Sequence, residues 1–285
     1  MMKEKKIYFI SGLPRSGSTL LCNILNQNPK FYASATSGIL TIILGIRKQL
    51  SEMPAFKAAE DADAATRMMR GLMQGYYQNT DRSIVFDKSR GWSGHLESAA
   101  EMFGRENIKV LVPVREIPGV LASFENIWRK NQGHREIPQE MSNYYDFRTI
   151  EGRMATWMDK KQPVGGAYNS IRDAVHRGFQ ENMFFIDYEE LTRNPARTMR
   201  MVYDFLEEEY YEHDFDNVEQ VTNEKDEYYG FDELHIIRPK VEPLKRKSME
   251  MLGSAGIKYA GLSFWNNDEL GLLTNLNKSE KKERQ

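Results

Sequence analysis

The stretch Ile7-Tyr8-Phe9-Ile10-Ser11-Gly12-Leu13-Pro14-Arg15-Ser16-Gly17-Ser18-Thr19-Leu20-Leu21-Cys22-Asn23-Ile24-Leu25 decides the fold. It opens with β-branched and aromatic residues and runs into Ser11-Gly12, the pattern of a short strand buried on both faces. From Ser18 to Asn26, the residues Leu20, Leu21, Ile24 and Leu25 share one helical face, and Asn28-Pro29 stops the helix. Between them, Gly12 and Gly17 bracket four residues and lead into Ser18-Thr19, which is the spacing of a phosphate loop. The backbone N–H groups of such a loop, with the N-terminus of the next helix, form an anion site. A nucleotide-hydrolysing loop carries lysine after its second glycine. Here that position is Ser18, and the cation is Arg15, inside the loop. Without the lysine's grip on the outer phosphates, ordinary ATP hydrolysis is disfavoured.

Outward from this unit, strands and helices alternate. Phe31-Tyr32-Ala33 reads as a second short strand, 38–78 as helical with a break at Pro54, 83–87 as a strand, and 94–103 as a helix. The run 108–114 is a stronger strand ending at Arg115, and Pro118 then sits where a helix's first turn accepts proline. Residues 183–186 form a further strand leading into Asp187-Tyr188, followed by a helix over 195–206. Alternation of this kind implies an α/β layer with a parallel sheet. Ligands of such sheets bind beyond the carboxyl ends of the strands, so functional residues are expected just after Ile10, Phe86, Val114 and Ile186.

Composition narrows the classes. In 285 residues, 40% hydrophobic and 28% charged residues supply a core and exclude wholesale disorder and collagen-like repeats. Lys plus Arg (39) nearly balance Asp plus Glu (41), a net charge of −2 that does not advertise nucleic acid as a partner. Cys22, the single cysteine, excludes an internal disulfide and a multi-cysteine zinc site. No apolar run approaches the ~20 residues of a bilayer span, and the apolar run after the basic N-terminus is too short for a signal peptide. The chain reads as a soluble, cytoplasmic, single domain over 1–285, with a charged, frayed tail at 277–285.

Gly12-Leu13-Pro14-Arg15-Ser16-Gly17-Ser18-Thr19-Leu20-Leu21 resembles the 5′-phosphosulfate loop of sulfotransferases that use PAPS (3′-phosphoadenosine 5′-phosphosulfate). The arginine form is closer to the tyrosylprotein and bacterial-type branches than to the cytosolic branch, which carries lysine there. The run 112–124 is similar to that family's 3′-phosphate motif, with Arg115 after a strand and Ser123 eight positions on. An arginine fork and a helix-borne hydroxyl suit a phosphate dianion on chemical grounds alone. The resemblance implies a three-layer P-loop sulfotransferase-like α/β fold, its central, mainly parallel sheet flanked by helices. It also implies a cofactor site of Pro14, Arg15, Ser16, Gly17, Ser18, Thr19, Arg115 and Ser123. Softer likenesses add Lys88, in Asp87-Lys88-Ser89, near the transferring sulfo group, and Tyr188 near the nucleotide. Arg238 and Lys240, with Lys245, Arg246 and Lys247, resemble the basic region that closes over the cofactor.

The implied reaction moves a sulfo group to a hydroxyl or amine and releases adenosine 3′,5′-bisphosphate, with no metal required. Arg15 and Lys88 would stabilise developing charge. The acceptor is a hydroxylated small molecule, glycan or peptide. Its general base is in neither family place, since Arg90 stands where one branch has histidine and 34–37 reads Ser-Ala-Thr-Ser where the other has glutamate. His95 is the nearest histidine by sequence and the candidate base, with Glu116, Asp87 and His134 behind it. Aromatic and Met-rich stretches at 68–77 and 144–157 are candidate acceptor-pocket walls or core, and 131–138 a candidate gating loop. Two rival readings remain. A P-loop kinase or NTPase would use ATP, with magnesium on Asp87 or Asp187, and a non-catalytic module would bind nucleotide only.

Overall fold

The computed structural model of the chain describes residues 4–58, 61, 63–131, 146–230, 233–244 and 248–266. The candidate gating loop from residue 132 onward lies outside them, as do His134, Tyr144, Lys245, Arg246, Lys247 and the 277–285 tail. Five strands, β1 (Lys6–Ile10), β2 (Phe31–Thr36), β3 (Ile84–Lys88), β4 (Val110–Val114) and β5 (Met183–Asp187), form one parallel sheet in the order β2-β3-β1-β4-β5. The helices in chain order are α1 (Ser18–Leu25), α2 (Ile39–Glu52), α3 (Pro54–Ala58), α4 (Ala64–Tyr76), α5 (Leu96–Phe103), α6 (Ile117–Asn131), α7 (Ile150–Trp157), α8 (Pro163–His176), α9 (Tyr188–Arg193), α10 (Pro195–Leu206), α11 (Ser248–Leu252) and α12 (Ser254–Ile257).

The period of two along each strand divides the core into two layers. Ile7, Phe9, Val85, Val110, Val112, Val114, Met183 and Phe185 point to one face, where they pack against apolar residues of α2 and α4 to α8. Tyr8, Ile10, Phe86, Leu111, Phe184 and Ile186 point to the other, against α1, α9 and α10. Helices on both faces explain why these strands read as continuous apolar runs. Cys22, fully buried in α1, belongs to the second layer, and burial pushes its thiol up to about 11. The Met-rich stretch divides likewise: Met69, Met73 and Tyr77 are core, while Met68 and Tyr76 are exposed. Phe147, Met154 and Trp157 are core as well.

Strand limits differ from the sequence reading in one way that matters. The strand expected at 83–87 runs to Lys88, which pairs with Ile10 on one side and Thr36 on the other. Lys88 is therefore fixed at the strand's end rather than carried on a loop. Next to it, Asp87 is wholly buried and accepts hydrogen bonds from the Tyr77 hydroxyl and from Trp92 Nε1, the latter at 2.5 Å. A strand proline is also unexpected in the middle of a sheet, because it removes a ladder donor. Pro113 is tolerated because the β1–β4 pairing, Phe9 with Val110 and Ile10 with Leu111, ends before it. Past that point Gly12 crosses Pro113 so closely that a Cβ there would lie 2.2 Å from the Pro113 carbonyl oxygen.

β1 is the switch point, with β3 on one flank and β4 on the other, so the crevice beyond the strand ends opens above it. At the far side, Asp187 ends β5 and caps α9, accepting from Glu189 N at 2.9 Å and Glu190 N at 3.1 Å. Burial, followed by the Glu189 carboxylate, pushes the Asp187 carboxyl up to about 6 despite those bonds.

Two outcomes follow from this packing. Gly12→Ala forces the loop away from Pro113 and lowers stability by about 1–3 kcal/mol, read as a lower urea midpoint. The raised Asp187 pKa means its contribution is fully present below the unfolded-state value and is lost as pH rises through about 6. Asparagine keeps the cap without the charge. Asp187→Asn therefore gains up to about 3 kcal/mol over the parent at pH 8 and little at pH 4, in urea titrations at the two pH values. Parallel pH profiles for parent and variant would refute this.

Candidate active site

The phosphate loop is built around the Pro113 carbonyl, which accepts from Leu13 N at 2.9 Å and from Ser16 Oγ at 2.8 Å. Ser16 Oγ also reaches Leu13 O, at 2.6 Å, and the residue is fully buried. The Ser16 hydroxyl thus faces inward and holds the loop's shape, which leaves only its backbone N–H for a ligand. Arg15, at φ 59°, and Gly17, at φ 84°, take left-handed conformations that turn the chain into α1. A Cβ on Gly17 would meet the Tyr188 ring at 2.7 Å, so the glycine permits that ring to lie against the loop. No side chain caps α1, which leaves its first N–H groups and the positive end of its dipole facing the crevice.

Two arginines converge there. Arg15 Nε donates to Ser123 Oγ at 3.1 Å, and Arg115 Nη1 lies 3.5 Å from the Arg15 carbonyl oxygen. The Arg115 guanidinium stacks over the Tyr188 ring, 4.7 Å from its centre. Its Nε is buried with no hydrogen-bond partner, and the nearest carboxylate oxygen, Glu189 Oε1, stands 3.5 Å away. Burial and then the Arg115 charge pull the Arg15 guanidinium below its ordinary value, while Asp226 opposes them. Two like charges held this close describe a site organised for an anion.

Lys88 ends β3 at the same crevice. Ser34 Oγ accepts its backbone N–H at 3.0 Å, and Ser37 N and Ser89 N tie the surrounding chain to Lys88 O and Ile10 O at 2.8 and 3.0 Å. Its ammonium meets Glu224 Oε1 at 2.7 Å, a pair with side chains only 7% and 5% exposed. Glu224 arrives from a segment held to α1 by the buried Asn23. The amide of Asn23 donates to Thr222 Oγ1 at 2.8 Å and accepts from Val221 N and Thr222 N at 2.7 and 3.0 Å. The returning chain is fixed by Val218 N to Pro239 O and Val241 N to Phe215 O, at 2.7 and 2.8 Å. It crosses the crevice as a strap, and Arg15 Nη1 donates to the Leu234 carbonyl.

The result is a cavity of about 360 Å³ whose wall includes Pro14, Arg15, Gly17, Ser18, Thr19, Lys88, Arg115, Ser123, Tyr188, Arg238 and Lys240. Most residues singled out from the sequence are thus brought together. Arg238 binds the Glu242 carbonyl at 2.9 Å and Lys240 pairs with Asp216 at 3.1 Å. Besides the inward-facing Ser16, His95 is the exception. It precedes α5 among Arg47, Glu97 and Arg177, its pKa lowered by burial and then by Arg177, and it does not line the cavity. The base assignment to His95 is set aside. Glu116 and Asp87 do not line it either. Sequence reasoning missed Glu224, Asp226, Tyr229 and His235, because an acidic, tyrosine-rich stretch without periodicity carries no sign of what it will face. Among the described residues, no three His, Cys, Asp or Glu side chains form a group able to hold a metal ion, and no helix is long and apolar enough to cross a membrane.

Comparison with known proteins adds the family. No curated protein matches the chain. Among solved structures, the chain is similar to sulfotransferase STF9 from Mycobacterium avium, at 17% identity and a TM-score of 0.44 over 72% of this chain and 64% of that one. It therefore spans under two thirds of that protein. The sulfotransferase domain of the Synechococcus PCC 7002 olefin synthase gives 18% identity and 0.46, over 88% of this chain and 94% of that one. A sulfotransferase from Alicyclobacillus acidocaldarius gives 14% and 0.47, over 90% and 93%. The model of the sulfotransferase family matches residues 8–212. That match takes in the sheet from Tyr8 of β1 onward and most of the sequence, and on that extent the chain belongs to the sulfotransferase family.

Proposed function

We propose that this chain transfers a sulfo group from PAPS to a hydroxyl or amine of an acceptor, leaving adenosine 3′,5′-bisphosphate. The observation that carries the reading is the convergence of Arg15 and Arg115, from two distant motifs, on one cavity beside Ser123. The donor has two anionic ends, and the residues present fit both. The exposed helix end with Ser18, Thr19 and Arg15 suits the 5′-phosphosulfate. Arg115, whose buried Nε lacks a hydrogen-bond partner, suits the 3′-phosphate with Ser123. When bound, the donor supplies an activated sulfo group on a phosphate leaving group.

The protein's part is positioning and charge. Arg15 and Lys88 neutralise negative charge that accumulates on the oxygens around sulfur, and they do so from fixed positions on the cavity wall. Gly17 and Tyr188 shape the wall against which a flat, charged ligand lies. The kinase reading loses its magnesium ligands in this arrangement. Asp87 is enclosed by Tyr77 and Trp92, and Asp187 spends its carboxylate on the α9 cap.

Calorimetric titration tests the proposal. Adenosine 3′,5′-bisphosphate binds without metal and more tightly than ATP with magnesium, and Arg115→Ala weakens it about 10- to 100-fold, the loss expected for charge-assisted hydrogen bonds. Preference for ATP with magnesium would move the protein to the kinase class. Lys88→Ala lowers the rate of sulfo transfer by about 100-fold or more while changing adenosine 3′,5′-bisphosphate affinity far less.

A further inference from the structure

Sulfo transfer to a hydroxyl needs a group that takes the hydroxyl proton, and the cavity's phosphate loop, arginines and lysine cannot do so. Of the histidines among the described residues, His213 is buried, at 3.1 Å from the Tyr203 hydroxyl, while His95 and His176 lie off the cavity wall. His235 lines it. It lies beyond the 8–212 stretch that the family model covers.

Its surroundings define its chemistry. Asp226 grips the residue twice, through Oδ1 on the ring Nδ1 at 2.5 Å and through Oδ2 on the backbone N–H at 3.0 Å. A carboxylate only accepts, so Nδ1 carries a proton, which leaves Nε2 as the ring's second proton site. Nε2 stands 3.5 Å from Glu224 Oε2. Glu224 itself is a poor base, because Lys88 Nζ and Thr36 N occupy Oε1 at 2.7 and 3.0 Å and the Tyr229 hydroxyl occupies Oε2 at 3.2 Å. The Tyr229 ring centre lies 5.4 Å from the His235 ring, Arg15 is tied to the neighbouring Leu234 carbonyl, and Arg90 lines the same cavity. His235 is thus one carboxylate from Lys88 and one residue from the Arg15 contact.

We infer that His235, oriented by Asp226, is the general base of the transfer and that the acceptor group it serves is a hydroxyl. As a lone pair of the acceptor oxygen forms the bond to sulfur, its proton passes to Nε2. The bond from sulfur to the donor's 5′-phosphate oxygen breaks, and that oxygen keeps the electron pair beside Arg15 and Lys88. The imidazolium so formed lies between Asp226 and Glu224, whose charges stabilise it as it develops. Glu224 is a positioning residue that spans base and lysine. The inference rests on the sulfo-transfer reading above.

The test separates the two. With histidine-labelled protein, long-range nitrogen–proton NMR reads the ring assigned by its absence in His235→Gln. The expected state is the Nδ1–H tautomer at pH 8, with ring signals that move on adding adenosine 3′,5′-bisphosphate and a tautomer that is lost in Asp226→Asn. An Nε2–H or doubly protonated ring overturns the inference, whether or not any acceptor turns over. In activity, PAPS is offered with water alone and with a panel of phenols and primary alcohols. His235→Gln lowers kcat about 10²- to 10⁴-fold while adenosine 3′,5′-bisphosphate affinity stays within about twofold, and Asp226→Asn shifts the acid limb of the pH–rate profile. Unchanged kcat in His235→Gln overturns the inference and leaves the donor reading standing. Failure of the parent protein to bind adenosine 3′,5′-bisphosphate sinks the donor reading instead.

Discussion

One carbonyl group, that of Pro113, organises the crevice. It receives Leu13 N and Ser16 Oγ, and it lies so close to Gly12 that no side chain fits between them. The proline ring removes a backbone donor just past the last residue of β4 that pairs with β1. Two residues further along the same strand, Arg115 emerges beside Arg15. The loop and the second arginine are therefore placed by one contact, and the spacing between the two anion-binding groups is set by the sheet rather than by flexible side chains.

Around that frame the molecule balances charge locally. Arg115 has Glu189 nearby, Lys88 has Glu224, and Asp226 offsets Arg15 while holding His235. Buried pairs of this sort are weak arguments for stability, since desolvation opposes the attraction. Their value here lies in orientation. Glu224 is itself held below its ordinary value, for although burial raises it, the Lys88 ammonium beside it lowers it further. An anionic ligand at Lys88 and Arg15 meets cations that are already in position and already desolvated.

Much of this was legible in the sequence because it depends on local pattern. A buried strand, two glycines at fixed spacing and a helix face name the loop, and the resemblance of 112–124 to a 3′-phosphate motif points to Arg115 and Ser123. The inward turn of Ser16 was not legible, since a hydroxyl in a phosphate loop reads the same whether it meets a ligand or a carbonyl. Nor was the displacement of His95, which is near Lys88 in sequence but lies behind the short helical turn at 92–94 in space. Glu224, Asp226 and His235 are set by contacts across some 200 residues, through Asn23, and no local pattern encodes them.

Asn23 also shows where the fold ends. Its two oxygen lone pairs serve Val221 N and Thr222 N, and its amide hydrogens serve Thr19 O and Thr222 Oγ1. The stretch matched by the family model stops at residue 212, nine positions short of the first of these strap partners. A protein cut at that boundary would keep every strand yet bare the surface that Val218 and Val241 cover, leave the Asn23 amide with one of its four partners and strip Lys88 of its counter-charge. The matched stretch is thus not a self-sufficient unit, and the segment that follows it is built into the foundations of the first helix.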